Sequence, residues 1–155
     1  MRPFGPTALR LCVGTVFLAH GAQKLFGVWG GPGLAGTSKM LASFGFPYHL
    51  PLAVLLGLVE FGGGILLILG CATLWISLLL LIDIGIGVWK VHYPHGFFLN
   101  WALTPGRGHG IEFDLVLIGA LLCLMLAGPG ALSVDDRRSQ NAEAQARGRA
   151  RIRQV

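Results

Sequence analysis

Four apolar stretches alternate with polar or glycine-rich segments along the 155-residue chain, and they cover about residues 7–26, 50–70, 72–91 and 111–127. Each comes close to the roughly 20 residues that a helix needs to cross a hydrocarbon core about 30 Å thick. Because lipid offers no hydrogen-bond partner to backbone amides, the stretches are expected to be helical. The pattern predicts an all-α, polytopic membrane protein, a bundle of four transmembrane helices.

The connections between these stretches differ in length and composition. Residues 27–49 begin with a glycine- and proline-rich region typical of turns, and residues 37–44 are predicted to form a short helix capped by Thr37 or Ser38. Residues 70–73 leave so little chain between the second and third stretches that the two helices must form a tight antiparallel hairpin. Residues 93–110 form a second long loop with glycine, proline and aromatic residues.

The character of the chain changes at Asp135, after which the sequence is polar and rich in arginine. A segment of this composition buries too little apolar surface to fold alone, so it is expected to be disordered or weakly helical until it meets a partner. The sequence therefore divides into a transmembrane domain, residues 1–134, and a polar tail, residues 135–155.

The composition agrees with a membrane protein and argues against nucleic-acid binding. Hydrophobic residues make up 54% of the chain and charged residues only 12%, whereas soluble domains carry about 25% charged residues. The net charge of +5 says little about the body of the protein, which lacks the basic face of a nucleic-acid-binding protein. Half of the twelve basic residues are tail arginines, namely Arg137, Arg138, Arg147, Arg149, Arg151 and Arg153.

The cysteines give no sign of a metal site or of a disulfide framework. Cys12, Cys71 and Cys123 are far apart and form no CxxC pair. Zinc sites and disulfide frameworks need closer spacing or more ligands. We therefore predict three unpaired thiols that serve as small apolar side chains. His92, His95 and His109 share one loop region but lack the tight spacing of metal ligands, so we predict no metal site.

The distribution of basic residues predicts how the chain is oriented in the membrane. Four crossings place both termini on one side, together with Arg2, Arg10 and the six tail arginines. The other side carries four basic residues, Lys24, Lys39, Lys90 and Arg107. Because basic residues accumulate on the cytoplasmic side, both termini are predicted to be cytoplasmic. The tail arginines are also expected to attract anionic membrane lipid.

Ionisable residues inside the apolar stretches are the candidates for a functional site, since each costs at least about 2.5 kcal/mol at a helix centre. Threading the four helices through the membrane places these residues together in the outer half of the bundle. A polar cavity that opens to the outside is the simplest explanation. The candidate cavity residues are His20, Lys24, Glu60, Asp83, Lys90, His92 and Glu112, together with the uncharged Gln23, which shares a helical face with His20 and Lys24.

A purely structural role for these charges remains the alternative. Acids and bases are mixed, so ion pairs among Lys24, Glu60, Asp83, Lys90 and Glu112 would lower the cost of their burial. Such pairs can simply specify which helix packs on which. Charges close to the ends of the stretches can also reach the membrane surface through their long side chains.

Glycines are crowded in the second stretch and recur in the third. Small residues let helices approach closely in lipid, and we assign these glycines to helix packing rather than to ligand binding. The residues concerned are Gly57, Gly62, Gly63, Gly64, Gly85 and Gly87.

Several short segments, in one order along the chain, resemble the DoxX family. FLAHGAQKLFG (17–27), GGPGLAGT (30–37) and GFP (45–47) resemble its first helix and loop, and GLVEFGGGILLILG (57–70) resembles its second helix. VHYPHGFF (91–98), GIEF (110–113) and GPGALSVD (128–135) complete the series. The resemblance covers residues 7–135, nearly everything except the tail.

This resemblance implies a four-helix protein of the bacterial inner membrane. Members of the family are described as oxidoreductase components; one relative belongs to a thiosulfate:quinone oxidoreductase, and others are linked to quinone and oxidative-stress responses. The family motifs correspond to His20, Lys24, Glu60, His92 and Glu112. Lys90 departs from the family, which has a neutral residue before VH, and this puts the ion pairing around Asp83 in question.

Two functional hypotheses follow, and whether the chain is itself an enzyme stays open. In the first, a redox-associated subunit binds a quinone or a small redox molecule in the outer-half cavity, where His20, Lys24 and Glu60 move protons. The chain has no CxxC, haem or dinucleotide motif and hence no predicted intrinsic cofactor, so a quinone or a redox partner protein must carry the electrons. The alternative is a non-catalytic scaffold for redox proteins. A small-solute permease is less favoured, because four helices leave little room for alternating access. The sequence leaves the oligomeric state open.

Overall fold

The computed structural model describes residues 4–152 of the chain, and the side chains of residues 4–149. Helices connected by loops make up the whole of this range, which confirms the all-α class. A π-helical turn, Val88–His92, and a 3-10 turn, Tyr93–His95, extend the fourth helix. The helices are α1 (Phe4–Phe26), α2 (Gly33–Ser43), α3 (His49–Leu69), α4 (Thr73–Gly87), α5 (Glu112–Ala127) and α6 (Val134–Ile152).

The four predicted apolar stretches form α1, α3, α4 and α5, which pack as a bundle. By length and composition, two helices of the described chain can cross a membrane by themselves, His49–Leu69 and Thr73–His95. A third crossing is possible if α1 and the segment 28–43, which meet at an angle of 104°, form one broken span. The count is below four because polar residues such as Arg10 and Lys24 lower the hydropathy of α1. In addition, the 16 residues of α5 extend only about 24 Å.

Glycines bring α1 and α3 into close contact. A Cβ atom at Gly21 would collide with the backbone of Phe61, and one at Gly64 would collide with the backbone of Leu18. Backbone atoms cannot move aside as a flexible side chain can, so a larger residue at either position must push the helices apart. The predicted packing role therefore applies to Gly64 in the second stretch. It does not explain Gly62, Gly85 or Gly87, around which a Cβ would meet nothing within 4 Å.

At one end of the bundle, which we call the Arg10 end, α3 is capped by a side chain from α1. Arg10 is 1% exposed, and its Nη1 donates hydrogen bonds to the carbonyls of Leu67 (3.0 Å) and Ile68 (2.9 Å). The last carbonyls of a helix have no partner within the helix, and a cation there also interacts favourably with the helix dipole. Nη2 donates a weaker bond to the Leu132 carbonyl at 3.4 Å, which ties the segment after α5 to the same site.

Asp135 caps α4 from 62 residues further along the chain. Its carboxylate accepts hydrogen bonds from the backbone amides of Ala72 (2.9 Å) and Thr73 (2.8 Å), and its own amide donates to the Gly70 carbonyl. Burial acts to raise the pKa of Asp135, but the bonds from Thr73 and Ala72 outweigh burial and hold this pKa below its ordinary value. Residues 128–135 are thus part of the transmembrane domain's structure, because they close the α3–α4 hairpin.

The polar tail is helical where the sequence predicted disorder or a weak helix. α6 begins at Val134, and the Ser133 hydroxyl caps it by accepting a bond from the Asp136 amide at 3.0 Å. Two aspartates in the first turn favour a helix N-terminus electrostatically. Arg2 and Arg153, which entered the orientation argument, lie outside the described residues, as does the side chain of Arg151.

The helix between the first two membrane stretches begins earlier than predicted. It was expected to start at a cap formed by Thr37 or Ser38, but α2 starts at Gly33. The Thr37 hydroxyl bonds back to the Gly33 carbonyl at 2.8 Å, within the helix. The Ser38 hydroxyl instead contacts Nδ1 of His49 at 2.8 Å and connects α2 to the start of α3.

Candidate functional site

A cavity of about 430 Å³ lies between the helices at the end of the bundle opposite Arg10, where α1 and α4 finish and α3 and α5 begin. We call this the Lys24 end. Aliphatic and aromatic side chains form most of the wall, to which helices α1 to α5 contribute. Cavities that hold small molecules typically measure about 300–1,000 Å³ and combine apolar walls with a few polar groups. The polar groups in this wall are His20, Lys24, Glu60, Asp83, Lys90, His92 and Asp114.

A lysine and two carboxyl groups from three different helices meet in the cavity wall. Lys24 Nζ of α1 forms an ion pair with Glu60 Oε1 of α3. Asp83 of α4 lies within hydrogen-bonding reach of Glu60 and interacts electrostatically with Lys24. The other Glu60 oxygen, Oε2, is buried and accepts no hydrogen bond from the described residues. A donor between the two carboxyl groups, either a shared proton or a ligand O–H, would satisfy this oxygen.

A histidine–aspartate pair forms a second polar group in the wall. Nδ1 of His92 lies 2.5 Å from Oδ2 of Asp114, whose side chain is buried at the start of α5. An ionised carboxylate only accepts hydrogen bonds, so Nδ1 carries the proton and Nε2 remains for another partner. His92 lies in the π-helical turn that follows α4, and such turns are frequent at functional sites.

Lys90 and His20 line the cavity without pairing with its acids. Lys90 Nζ lies 4.0 Å from the Trp89 ring centroid and 5.8 Å from that of Phe46. Within the described residues, aromatic rings therefore take the place of the carboxylate partner that the sequence suggested for Lys90. His20 lies one helical turn before Lys24 on α1 and is exposed.

Two of the eight candidate residues, Gln23 and Glu112, are absent from the cavity wall. Glu112 Oε1 accepts hydrogen bonds from the backbone amide of Leu99 (3.0 Å) and from Nε1 of Trp101 (3.2 Å). Gln23 Nε2 has a long contact, 3.5 Å, to the carbonyl of Trp29. Both side chains hold loops at the Lys24 end, so their roles in the structure are outside the cavity.

Asp114 belongs to the cavity wall although the sequence reasoning left it out of the candidate set. The sequence feature that could have identified Asp114 is the helix face on which it lies, and not its charge. Asp114 shares a face of α5 with Leu117, Leu121 and Leu124, which are all buried, whereas Glu112 is on a different face. Because these residues are three or four positions apart, they share the helix face that points towards the interior of the bundle, and Asp114 points there with them.

Comparison with known proteins gives one family and several membrane-protein relatives. The family model described as DoxX matches residues 5–93. "Uncharacterized membrane protein Rv3486" of Mycobacterium tuberculosis is 35% identical over 88% of this chain and 82% of its own length. "Inner membrane protein YphA" of Escherichia coli is 30% identical over 88% and 91%, and "Putative oxidoreductase CatD" of Bacillus subtilis is 27% identical over 84% of each chain. No solved structure matches the chain.

Proposed function

The chain belongs to the DoxX family of membrane proteins, and from this premise we propose that it is an oxidoreductase-associated subunit that binds a quinone in the cavity at the Lys24 end. The observation that carries the proposal is one apolar cavity whose wall holds two separate acid–base groups, Lys24–Glu60–Asp83 and His92–Asp114. A relative named as an oxidoreductase supports the redox class.

The chemistry of a quinone agrees with this wall. A quinone ring is flat and apolar, and its two carbonyl oxygens accept hydrogen bonds. Lys24 and His92, which come from different helices, are donors suited to these oxygens. Apolar side chains would enclose the ring, while Glu60 holds the Lys24 ammonium in place.

Reduction of a quinone to a quinol takes two electrons and two protons. In the proposal, the electrons come from a redox partner protein, since the sequence has no motif for an electron carrier. The protons reach the two carbonyl oxygens from the acid–base groups in the wall, which are replenished from water at the Lys24 end. Each quinone oxygen becomes a hydroxyl as an N–H or O–H bond of a donor breaks, the two C=O bonds become single bonds, and the quinone ring becomes aromatic.

Binding of menadione, a naphthoquinone without a chain, tests the proposal directly. Isothermal titration calorimetry of the full chain in lipid nanodiscs should show saturable binding. Lys24→Met removes a donor to the ligand and leaves Glu60 unpaired, so we expect menadione affinity to fall at least about tenfold, the equivalent of one lost hydrogen bond of about 1.4 kcal/mol. Lys39→Met is the matched control, because Lys39 is exposed on α2 and outside the cavity.

The alternative, a non-catalytic scaffold, gives a different result in the same experiment. A scaffold has no need to bind menadione, and its Lys24–Glu60 pair only specifies the bundle. If the wild-type protein shows no saturable binding, or if Lys24→Met binds as well as Lys39→Met, the quinone-binding proposal is wrong.

We also propose that both termini face the cytoplasm, so that the cavity lies in the half of the membrane away from it. The support is the excess of arginine in α6, including Arg137, Arg138, Arg147 and Arg149. A green fluorescent protein fused after residue 155 becomes fluorescent only on the cytoplasmic side of a bacterial inner membrane. Alkaline phosphatase fused at the same point is active only on the other side, and activity of that fusion would refute the orientation.

A further inference from the structure

Part of the cavity wall is also part of the outer surface of the bundle. Four aliphatic side chains that line the cavity are exposed to between 42% and 56% of their area. All four belong to α3 or α4, the two helices of the hairpin. They are Leu55, Leu79, Ile82 and Ile86.

On α4 the exposed wall residues follow a helical face. Leu79, Ile82 and Ile86 are spaced by three and four residues, so they form one stripe. The buried face of the same helix is marked by Leu80 and Ile84. The stripe therefore lies on the flank of α4 that faces away from the bundle core, and the cavity extends onto this flank.

If Thr73–His95 crosses the membrane, this stripe lies at the depth of the hydrocarbon core. Leu79 and Ile86 follow the start of α4 at Thr73 by 6 and 13 residues, which corresponds to about 9 and 20 Å along the helix axis at 1.5 Å per residue. A hydrocarbon core is about 30 Å thick. On α3, Leu55 is likewise inside the helix, six residues after its start at His49. An opening between these residues faces lipid tails and not water.

From this geometry we infer that the cavity has a lateral portal between α3 and α4, bounded by Leu55, Leu79, Ile82 and Ile86, through which it takes a quinone with an isoprenoid chain from the bilayer. The inference rests on the proposed function and specifies its ligand. The ring occupies the polar part of the cavity near Lys24, and the chain passes through the portal into lipid.

Two features of the cavity favour this ligand over a chain-less, water-borne one. The volume of about 430 Å³ is that of a site for a drug-sized molecule. A chain of several isoprenoid units does not fit in this volume together with the ring, so it extends out of the cavity. The four portal side chains are also aliphatic, and the Asp83 carboxyl group, which lies between Leu79 and Ile86 on α4, interacts with Glu60 and Lys24 of the polar group. An aliphatic opening at this depth adds binding energy for an apolar chain and gives no hydrogen bond to a polar solute.

Menadione and menaquinone-4 are a matched pair of probes, since they share the naphthoquinone ring and menaquinone-4 adds four isoprenoid units. Binding of each is measured in nanodiscs, with the amount of quinone expressed per lipid. Ile82→Trp fills the portal from α4. Val116→Trp is the control, because Val116 is 66% exposed on α5 and outside the cavity wall.

We expect Ile82→Trp to weaken menaquinone-4 binding at least about tenfold, to change menadione binding less than about twofold, and Val116→Trp to change neither. Leu55→Trp should repeat this result from the α3 side, which keeps the test valid if one variant fails to fold. Equal loss for both quinones, or no loss for menaquinone-4, would overturn the portal while the proposed function stands. Phospholipid that occupies the portal and excludes menaquinone-4 from wild-type protein also overturns it. If the wild-type protein binds neither quinone, the proposed function itself has failed.

Discussion

Replacing Lys24 and Glu60 singly and together measures how strongly the cavity wall depends on their ion pair. The Glu60 side chain is 7% exposed and that of Lys24 is 21% exposed. Lys24→Met leaves a buried carboxylate beside Asp83 with no cation, and removing one member of a buried pair costs about 3–5 kcal/mol. Glu60→Gln should cost less, about 1–2 kcal/mol, because Asp83 remains as a partner for Lys24 and the amide of glutamine still accepts a hydrogen bond.

The double variant should be more stable than the sum of the single effects indicates. When both residues are replaced, no charged group of the pair is left without its partner, so we expect a coupling energy of at least about 1 kcal/mol. The assay is the free energy of unfolding in mixed micelles as the fraction of denaturing detergent is raised. Single effects that simply add, within about 0.3–0.5 kcal/mol, would refute the pairing.

Three further predictions concern the Arg10 end and the helix contact. Arg10→Met removes two charge-assisted hydrogen bonds to α3 carbonyls and should cost about 3 kcal/mol of unfolding free energy. Arg149→Met, at an exposed residue of α6, should cost almost nothing, and equal effects of the two substitutions would contradict the cap. Because the pKa of Asp135 is lower in the folded protein, its contribution is fully present above the unfolded value of about 3.9 and is lost as the pH falls through the lower folded value. Asp135→Asn should therefore remove a stability change confined to acid pH, and an unchanged acid profile would count against the cap. Gly64→Ala should cost about 1–3 kcal/mol by forcing α1 and α3 apart, and Gly62→Ala should be close to neutral in the same denaturation series.

Apolar length was sufficient to predict the helices of the bundle, because it depends only on consecutive residues. The tight hairpin was predictable for the same reason, since the short link 70–73 leaves one geometry. The number of crossings did not follow from apolar length alone, because α1 includes Arg10, which lowers its hydropathy. In the structure this residue is buried and bonded to carbonyls of α3 and of the following segment, 57 to 122 residues away, and no local pattern discloses such partners.

The candidate site was predictable to the extent that it follows from burial cost. Lys24, Glu60 and Asp83 are charged residues within apolar stretches, Glu60 and Asp83 near the middle and Lys24 near the end, and the structure places all three in one wall. Glu112 and Asp114 are two residues apart and carry the same charge, so neither property shows which of them lines the cavity. Only the helix face on which each residue lies distinguishes them. Asp135 was assigned to a disordered or weakly helical tail by its composition, although its carboxylate caps α4.

The central claim is that Lys24 donates a hydrogen bond to a quinone in the cavity, and infrared difference spectroscopy of bound menadione tests it most directly. A carbonyl that accepts a bond from an ammonium group absorbs at lower frequency, and ¹³C labelling of each menadione carbonyl identifies its band. We predict that both carbonyl bands are shifted down in wild-type and Lys39→Met protein, and that one of the two returns to the position of a carbonyl without a hydrogen bond in Lys24→Met. A carbonyl spectrum that is the same in all three proteins would contradict the account.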